Sequence, residues 1–293
     1  MRNPSYASWW QHLVLCCICG LILTPVILVV WVSLGSPGSQ TGQWTLDYWR
    51  LVLGFAIQND QGKWVTSPFP ALLWLLNSLK VAFIYAVLST VLAAMAAYGL
   101  VRKNIYASKP IANGLLFMQF FPSVLALVAV YILVRKLGFY IPSLGVNSHG
   151  GLVVVYLGGL AFFIWFLKEQ IAGLPSEYEE SARVSSASSW QTMTYVILPL
   201  LLPGLLVTFL ISFTMAFGEF PLASILLQQQ DQYTLAIGSQ FYLSEQYYNW
   251  GEFCAFALLS ASPAVILLLL IQYWLVHFSQ TPVKESDYVA VDP

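Results

Sequence analysis

The sequence predicts an all-α membrane protein with six spanning helices. Hydrophobic residues occupy 58% of the 293 positions and charged residues only 9%, whereas about a quarter of the residues in a soluble domain are charged. Several apolar runs reach the ~20 residues that a helix needs to cross a bilayer. None shows the alternation of a transmembrane barrel. Helices are expected, because a backbone in lipid must satisfy its hydrogen bonds within the chain.

The predicted spans are apolar runs, of which the fourth is short. The first is too long for a signal-peptide core and lacks a small-residue cleavage site, so we expect it to remain as a helix. Lys and Arg are more numerous in the loops on one side, which predicts that both termini are cytoplasmic. The pair Arg135 and Lys136, on the other side, runs against this bias. The spans are 12–34, 72–101, 111–134, 151–167, 200–222 and 251–278.

This topology divides the chain into a cytoplasmic N-terminus, a membrane domain and a cytoplasmic tail. The N-terminus is 1–11, the membrane domain is 12–278 and the tail is 279–293. One cytoplasmic loop is long and polar. The first outer loop is rich in turn-forming and aromatic residues, which suits a membrane interface. The long cytoplasmic loop is 168–199, and the outer, periplasmic loops are 35–71, 135–150 and 223–250.

No catalytic or metal-binding motif occurs in the sequence. The three histidines are dispersed, and there is no metalloprotease, serine-hydrolase or phosphate-loop pattern. The four cysteines lie in apolar runs, where they are expected to pack as small apolar residues. A net charge of −1 gives no reason to expect nucleic-acid binding. An enzyme is disfavoured, and if ATP drives this protein, another chain must bind it.

Glu219 is the clear ionisable residue inside a predicted span. A charge at that depth is expensive and is a functional candidate by default. Two interpretations stay open: a polar contact in a transport path or with a partner subunit, and a helix end wetted by headgroups or water. We expect Glu219 to lie near the outer end of the fifth span and to contact a polar partner, since a desolvated carboxylate needs one.

The segment 175–200, PSEYEESARVSSASSWQTMTYVILPL, is polar although apolar runs flank it, and we call it the polar segment. Ser176 with Glu179, and Ser188 with Gln191, match the capping-box pattern and predict two helix starts. Pro199 is expected to limit the second helix.

The first of these helices is slim, because Ser and Ala dominate it. A slim helix with scattered apolar anchors is typical of a ligand that enters a groove in another protein. The alternative is an amphipathic helix lying on the membrane, which favours a face rich in Lys and Arg. The polar segment has one arginine against three glutamates. A protein partner is therefore the favoured interpretation.

The polar segment resembles the EAA loop of ABC importer permeases, in which E-A-A is followed by a glycine and then by I-x-L-P. Glu180 begins the stretch that matches E-A-A, and Ser186 stands at the glycine, although a serine is less suited to a left-handed backbone. Val196 and the two residues of the Leu-Pro pair match I-x-L-P. The resemblance implies that Glu180 contacts an arginine of an ATPase. The implied coupling residues are Glu180, Ser181, Ala182, Arg183, Ser186, Trp190, Leu198 and Pro199.

Later stretches, among them EFPLASILL and YTLAIGSQFYLSEQYYNWGEF, resemble the MalG family of maltose and maltodextrin permeases. The resemblance implies a type I ABC importer permease with six transmembrane helices, carrying its coupling helix on a cytoplasmic loop. The implied location is the bacterial inner membrane. The implied partners are a second, unlike permease subunit (MalF-like), an ATPase homodimer (MalK-like) that holds ATP and Mg, and a periplasmic maltose-binding protein. No cofactor is expected on this chain itself.

The same resemblance implies that an outer loop helps to release sugar from the binding protein. The aromatic residues in and next to this loop are expected to be exposed, because aromatic rings suit sugar faces and protein contacts. An interfacial aromatic belt is the alternative. The loop residues are Ser239, Gln240, Phe241, Tyr242, Leu243, Ser244, Glu245 and Gln246.

A stand-alone secondary carrier or channel for a small polar solute is the competing function. Such a protein would work without an ATPase or a binding protein. Inverted repeats are common in that class, and the sequence shows none. Co-purification of an ATPase and a second permease would favour the importer.

Overall fold

The computed structural model describes residues 9–35, 44–58, 62–102, 108–119, 123–245 and 247–280. Most of the predicted N-terminus and tail, residues 1–8 and 281–293, lies outside the described residues. So do 36–43 of the first outer loop, 120–122 of the third predicted span, and Gln246.

The described chain is predominantly helical, with short strands in two hairpins. The helices are α1 Trp9–Ser33, α2 Asp47–Val52, α3 Ala71–Arg102, α4 Ser108–Gln119, α5 Leu127–Tyr140, α6 His149–Tyr156, α7 Ala161–Ala172, α8 Glu177–Val184, α9 Ser189–Thr192, α10 Leu198–Leu200, α11 Leu202–Phe217, α12 Pro221–Leu226, α13 Leu235–Gly238 and α14 Trp250–Gln280. The strands are β1 Ile57–Gln58, β2 Trp64–Val65, β3 Leu243–Ser244 and β4 Tyr247–Tyr248. Both pairs, β1 with β2 and β3 with β4, are antiparallel.

Within the described ranges, four helical stretches are long and apolar enough to cross a membrane. A fifth crossing exists if the pair His149–Gly159 and Ala161–Ala172, bent by 50°, counts as one broken span. These stretches correspond to five of the predicted spans. In the region of the other, 111–134, the structure has two shorter helices, α4 and α5, on either side of 120–122. The four stretches are Trp9–Ser33, Ala71–Arg102, Ser189–Phe217 and Trp250–His277.

The chain forms two compact units, and the first comprises Met1–Leu75 with Ile237–Ser262. Its core is aromatic. Trp74 and Tyr242 are fully buried, and Phe256 is nearly so. Phe69 packs edge-on against Tyr242, with ring centroids 4.9 Å apart, and Tyr242 lies 4.5 Å from Phe256. Large rings packed in this way bury much apolar surface.

The second unit comprises Leu76–Ala236 with Pro263–Pro293. In it, polar side chains of α3 hold a loop in place. Asn77 donates to the carbonyls of Asp231 (2.8 Å) and Tyr233 (3.0 Å), and Ser78 accepts from the N–H of Leu235 at 2.7 Å. Asn77 and Ser78 are both buried. They satisfy backbone groups that water would otherwise satisfy, which explains why α3 keeps polar residues.

A close turn precedes α6. Asn147 has a left-handed backbone (φ 62°), which asparagine tolerates better than most residues. Its side-chain oxygen accepts from the N–H groups of Gln228 (3.1 Å) and Gln229 (3.0 Å). Asn147 thereby fixes the chain just beyond α12.

Replacing Gly238 by alanine should destabilise the protein by about 1–3 kcal/mol, the usual cost of overpacking a core. The added methyl group would overlap the buried indole ring of Trp74. Gly99→Ala is the matched control, because a Cβ at Gly99 meets nothing within 4 Å. Thermal unfolding of the purified protein in detergent measures both. Equal unfolding temperatures for the two variants would contradict the packing described for Trp74.

Candidate functional site

The polar segment starts differently from the sequence prediction. Ser176 precedes α8, but its side chain makes no capping hydrogen bond. Glu179, the expected partner in the capping box, is 3% exposed and forms an ion pair with Arg102, Nε to Oε1 at 2.5 Å. The capping box predicted at Ser176 is therefore wrong. A buried carboxylate gains more from a guanidinium than from one backbone N–H.

The end of α8 is a Schellman turn built on a serine. The N–H of Ala187 donates to the carbonyl of Ala182 (3.0 Å), and the N–H of Ser186 donates to that of Arg183 (2.9 Å). Ser186 has φ 61°, which is left-handed. This turn usually places a glycine where Ser186 stands. The position therefore keeps the left-handed geometry although it lacks the glycine.

The second start signal is confirmed. Ser188 accepts from the N–H of Gln191, and the Gln191 side chain accepts from the N–H of Ser188, a complete capping box. The helix that begins here does not stop at Pro199, which corrects the sequence prediction. A π-turn, Met193–Ile197, precedes the proline, and the N–H of Leu198 reaches back to Met193.

Bonding to the fourth residue back resumes beyond the proline, where the N–H of Leu201 donates to Ile197 at 2.9 Å. The hydrogen bonds therefore change from the fifth to the fourth residue back at Pro199, which has no N–H to donate. π-turns and prolines are both recognised sites of helix bending. Consequently Ser189–Phe217 is one helical stretch of 29 residues.

The surface of the polar segment carries the residues that the sequence singled out. Glu180 is exposed, and so are Ser181, Arg183, Ser186 and Pro199, whereas Ala182 and Leu198 are half-buried. The apolar side chains of this surface are strongly exposed as well: Val184 88%, Tyr195 79% and Trp190 63%. A surface that combines apolar side chains with a free carboxylate is suited to contact another protein.

Glu219 lies just beyond the end of α11. Its carboxylate accepts from the hydroxyl of Tyr156 (2.7 Å) and from the N–H groups of Leu222 (2.7 Å) and Ala223 (3.0 Å). These two N–H groups open α12, where backbone donors have no partner within the helix. Glu219 therefore caps one helix while it holds another through Tyr156.

β3, in this loop, forms a hairpin with β4, and the aromatic residues in and next to the loop differ in exposure. The expectation that Tyr242 is exposed is wrong, because it is fully buried in the aromatic core. Phe241 and Tyr247 are half-buried. Tyr248 is 65% exposed and packs edge-on against Trp250, which is 52% exposed. In the described part of the hairpin tip, Glu245 is exposed.

A buried carboxylate that the sequence reading missed supports this hairpin. Glu252 is fully buried at the start of α14, and the hydroxyl of Tyr247 donates to it. Its own N–H donates to the side chain of Asn249 at 3.2 Å. The pKa of Tyr247 is raised above its usual value, mainly by burial and secondly by the hydrogen bond to Glu252. The pattern N-x-x-E at 249–252 was the available signal, since asparagine is a favoured N-cap.

Residues 89–281 match the family described as binding-protein-dependent transport system inner membrane component. The chain belongs to this family. It is 43% identical to the maltose/maltodextrin transport system permease protein MalG of Vibrio parahaemolyticus, over 94% of this chain and 95% of that protein. It is 42% identical to the protein of the same name from Escherichia coli, over 91% of this chain and 92% of that protein.

Two solved structures show the fold of this inner-membrane component. A bacterial ABC transporter that imports the acidic polysaccharide alginate aligns over 93% of this chain and 99% of its own, at a TM-score of 0.73 and 16% identity. The methionine transporter MetNI, in an inward-facing form, aligns over 69% of this chain and 91% of its own, at a TM-score of 0.51 and 19% identity. The fold is that of a type I ABC importer permease.

In this permease, Tyr156→Phe and Glu219→Gln should each lower stability by about 1–3 kcal/mol, because the first removes a hydrogen bond to a carboxylate and the second leaves one of the three donors around Glu219 without an acceptor. The amide of the glutamine offers one acceptor oxygen where the carboxylate offers two. Combined, the two changes should cost less than the sum of the single changes, since both act on the contact between Tyr156 and Glu219. Tyr195→Phe, on an exposed side chain, is the control. Thermal unfolding in detergent is the measurement, and strict additivity would argue against the shared contact.

Proposed function

We propose that this chain is a transmembrane permease subunit of an ABC importer for maltose and maltodextrins. A periplasmic binding protein delivers the sugar, and a separate ATPase subunit hydrolyses ATP. The observation that carries the proposal is the near full-length similarity to permeases of that name, at 42–43% identity. A subunit of this family is not itself catalytic, so ATP and Mg belong to the ATPase chain.

The proposed assembly has four kinds of component around the bilayer. This chain pairs with a second, unlike permease subunit resembling MalF. An ATPase homodimer resembling MalK docks on the cytoplasmic side, and a maltose-binding protein docks on the periplasmic side. The membrane domain is 12–278, with 1–11 and 279–293 in the cytoplasm. The cytoplasmic loop 168–199 faces the ATPase, whereas the loops 35–71, 135–150 and 223–250 face the periplasm.

We assign the polar segment to the contact with the ATPase. Its exposed surface carries Glu180 for an arginine and Trp190 and Val184 for an apolar groove. The turn at Ser186 and the capping box at Ser188 fix the geometry of both helices. A rigid segment with an exposed carboxylate is what a groove with a basic residue can hold.

Movement of the ATPase would reach the membrane through backbone continuity. Because Ser189–Phe217 is one helical stretch, a displacement at its cytoplasmic end moves the span itself. Rigid-body rotation of spans would then alternate access between the two sides of the membrane.

The hairpin is the proposed contact with the binding protein. Its tip and flank offer Glu245, Tyr248 and Trp250. Its base is held by Tyr242 in the aromatic core and by Tyr247 on Glu252. A hairpin supported in this way presents its tip without losing much conformational freedom on contact.

Reconstitution in lipid vesicles tests the function as a whole. The full complex of two permeases and the ATPase should take up maltose only with binding protein and ATP present. Uptake by this chain alone, without ATP, would instead support the secondary carrier. Several sugars tested in parallel would define the substrate.

Replacing Glu180 by lysine should lower ATPase binding more than ~10-fold, because a like charge would face the arginine. Ser186→Trp should also fail, since the bulky ring would block the slim face of the segment. Ser186→Gly should bind normally and gain stability, because a left-handed non-glycine residue costs about 1–2 kcal/mol. Co-purification of the ATPase and sugar-dependent ATP hydrolysis are the measurements. Normal coupling in both Glu180→Lys and Ser186→Trp would rule out this contact.

Tyr248→Ala should leave stability within about 0.5 kcal/mol yet reduce the stimulation of ATP hydrolysis by the loaded binding protein. Tyr242→Ala should cost about 3–5 kcal/mol, as for other buried aromatics. The comparison separates the exposed side of the hairpin from its buried support. Full stimulation in Tyr248→Ala would remove the hairpin from the proposed contact.

A further inference from the structure

One guanidinium joins three parts of the chain. Arg102, the last residue of α3, donates to the carbonyls of Ile171 (3.2 Å) and Leu174 (3.0 Å). It also forms the ion pair with Glu179. Ile171 lies in the last turn of α7, Leu174 lies in the connection that follows, and Glu179 lies in α8. Arg102 therefore connects α3, on which it lies, with the end of α7 and with the polar segment.

The pair is buried in a chain that has few charges. The side chain of Glu179 is 5% exposed and that of Arg102 is 18% exposed. Buried ion pairs are weak devices for stability, because apolar residues of similar size often serve as well or better. The guanidinium of arginine is a planar fork that can hold a carboxylate and carbonyls in fixed directions. Its use here points instead to a role in fixing the positions of α7 and α8 relative to α3.

The three glutamates of α8 have distinct surroundings. Glu177 and Glu180 are exposed, whereas Glu179 faces Arg102 in the interior. Glu180 is therefore free to meet a partner, and Glu179 is committed to this chain.

The ion pair gives the polar segment an attachment to α3 in addition to its two backbone connections. These lead to α7 on one side and to the continuous helix from Ser189 to Phe217 on the other. If only the backbone held the segment, α8 could turn about the connection 173–176 and the turn at Ser186, and part of a push on α8 would be lost as rotation. With Glu179 held by Arg102, a push on α8 also reaches α3.

We propose that Arg102 and Glu179 are positioning residues for coupling, which transmit movement of α8 to α3. This inference rests on the proposed contact between the polar segment and the ATPase. It adds that the internal ion pair, and not only the contact itself, sets how much transport each ATP supports.

The test uses the full importer reconstituted in lipid vesicles. The variants are Glu179→Gln, Arg102→Lys and the double variant Arg102→Met with Glu179→Met, and Glu177→Gln is the control. Three quantities are measured: the amount of ATPase that co-purifies, ATP hydrolysis without binding protein, and sugar taken up per ATP. The first and the last are measured at low and high salt, and the first is measured for Glu180→Lys as well.

We expect both single variants to bind the ATPase and hydrolyse ATP as the unaltered complex does. Sugar uptake per ATP should fall roughly tenfold, since Glu179→Gln leaves the guanidinium without its carboxylate and Arg102→Lys keeps the charge but loses the planar fork that also binds the two carbonyls. The loss should not depend on salt, because buried pairs are screened little. A Glu180 variant, by contrast, should lose ATPase binding in a salt-dependent way. Glu177→Gln should behave normally.

The double variant separates positioning from packing. An apolar pair can restore the packing of a buried ion pair but cannot bind the carbonyls of Ile171 and Leu174. A double variant that assembles and remains uncoupled supports the inference. A double variant with normal uptake per ATP overturns it, and so does loss of assembly in every variant of this pair, which would indicate a role in folding alone. If the unaltered complex lacks sugar-dependent ATP hydrolysis, the proposed function itself fails.

Discussion

The ends of helices are the points on which this structure depends, because the backbone groups unpaired there need partners wherever packing excludes water. The few charged and polar residues are used there. Glu219 supplies acceptors for the start of α12, Glu252 stands at the start of α14, and Arg102 binds carbonyls at the end of α7. A chain with 9% charged residues therefore places several of them at the junctions between helices.

The use of polar groups at the junctions between helices also explains why the candidate functional surfaces are rigid. The polar segment is fixed by a Schellman turn, a capping box and an ion pair, and it continues into a span without a break. The hairpin is fixed by an aromatic core and a buried carboxylate. In both cases the groups that hold the segment are buried, whereas the groups offered to a partner, Glu180 and Tyr248 among them, are exposed.

Local signals gave sound predictions where the physics is local. Runs of apolar residues fix most of the spans, since a bilayer imposes a minimum length. The capping box at Ser188 and Gln191 involves neighbours in sequence and forms as expected. The polar partner expected for Glu219 exists, although the sequence could not name Tyr156, which lies 63 residues away.

Other features were decided by partners far along the chain. Glu179 has the spacing of a capping box, but it pairs with Arg102, at the end of another helix, instead of capping α8. The sequence predicts that Tyr242 is an exposed loop aromatic, but in the structure Phe69 and Phe256 pack against it and bury it. Pro199 predicts the end of a helix, but the π-turn before it lets the helix continue beyond the proline. The sequence by itself determined the helical class, the main spans and the polar segment, because composition and local periodicity suffice for these. The tertiary structure alone decided which charges are buried and which are exposed, because that choice depends on contacts between residues distant in the sequence.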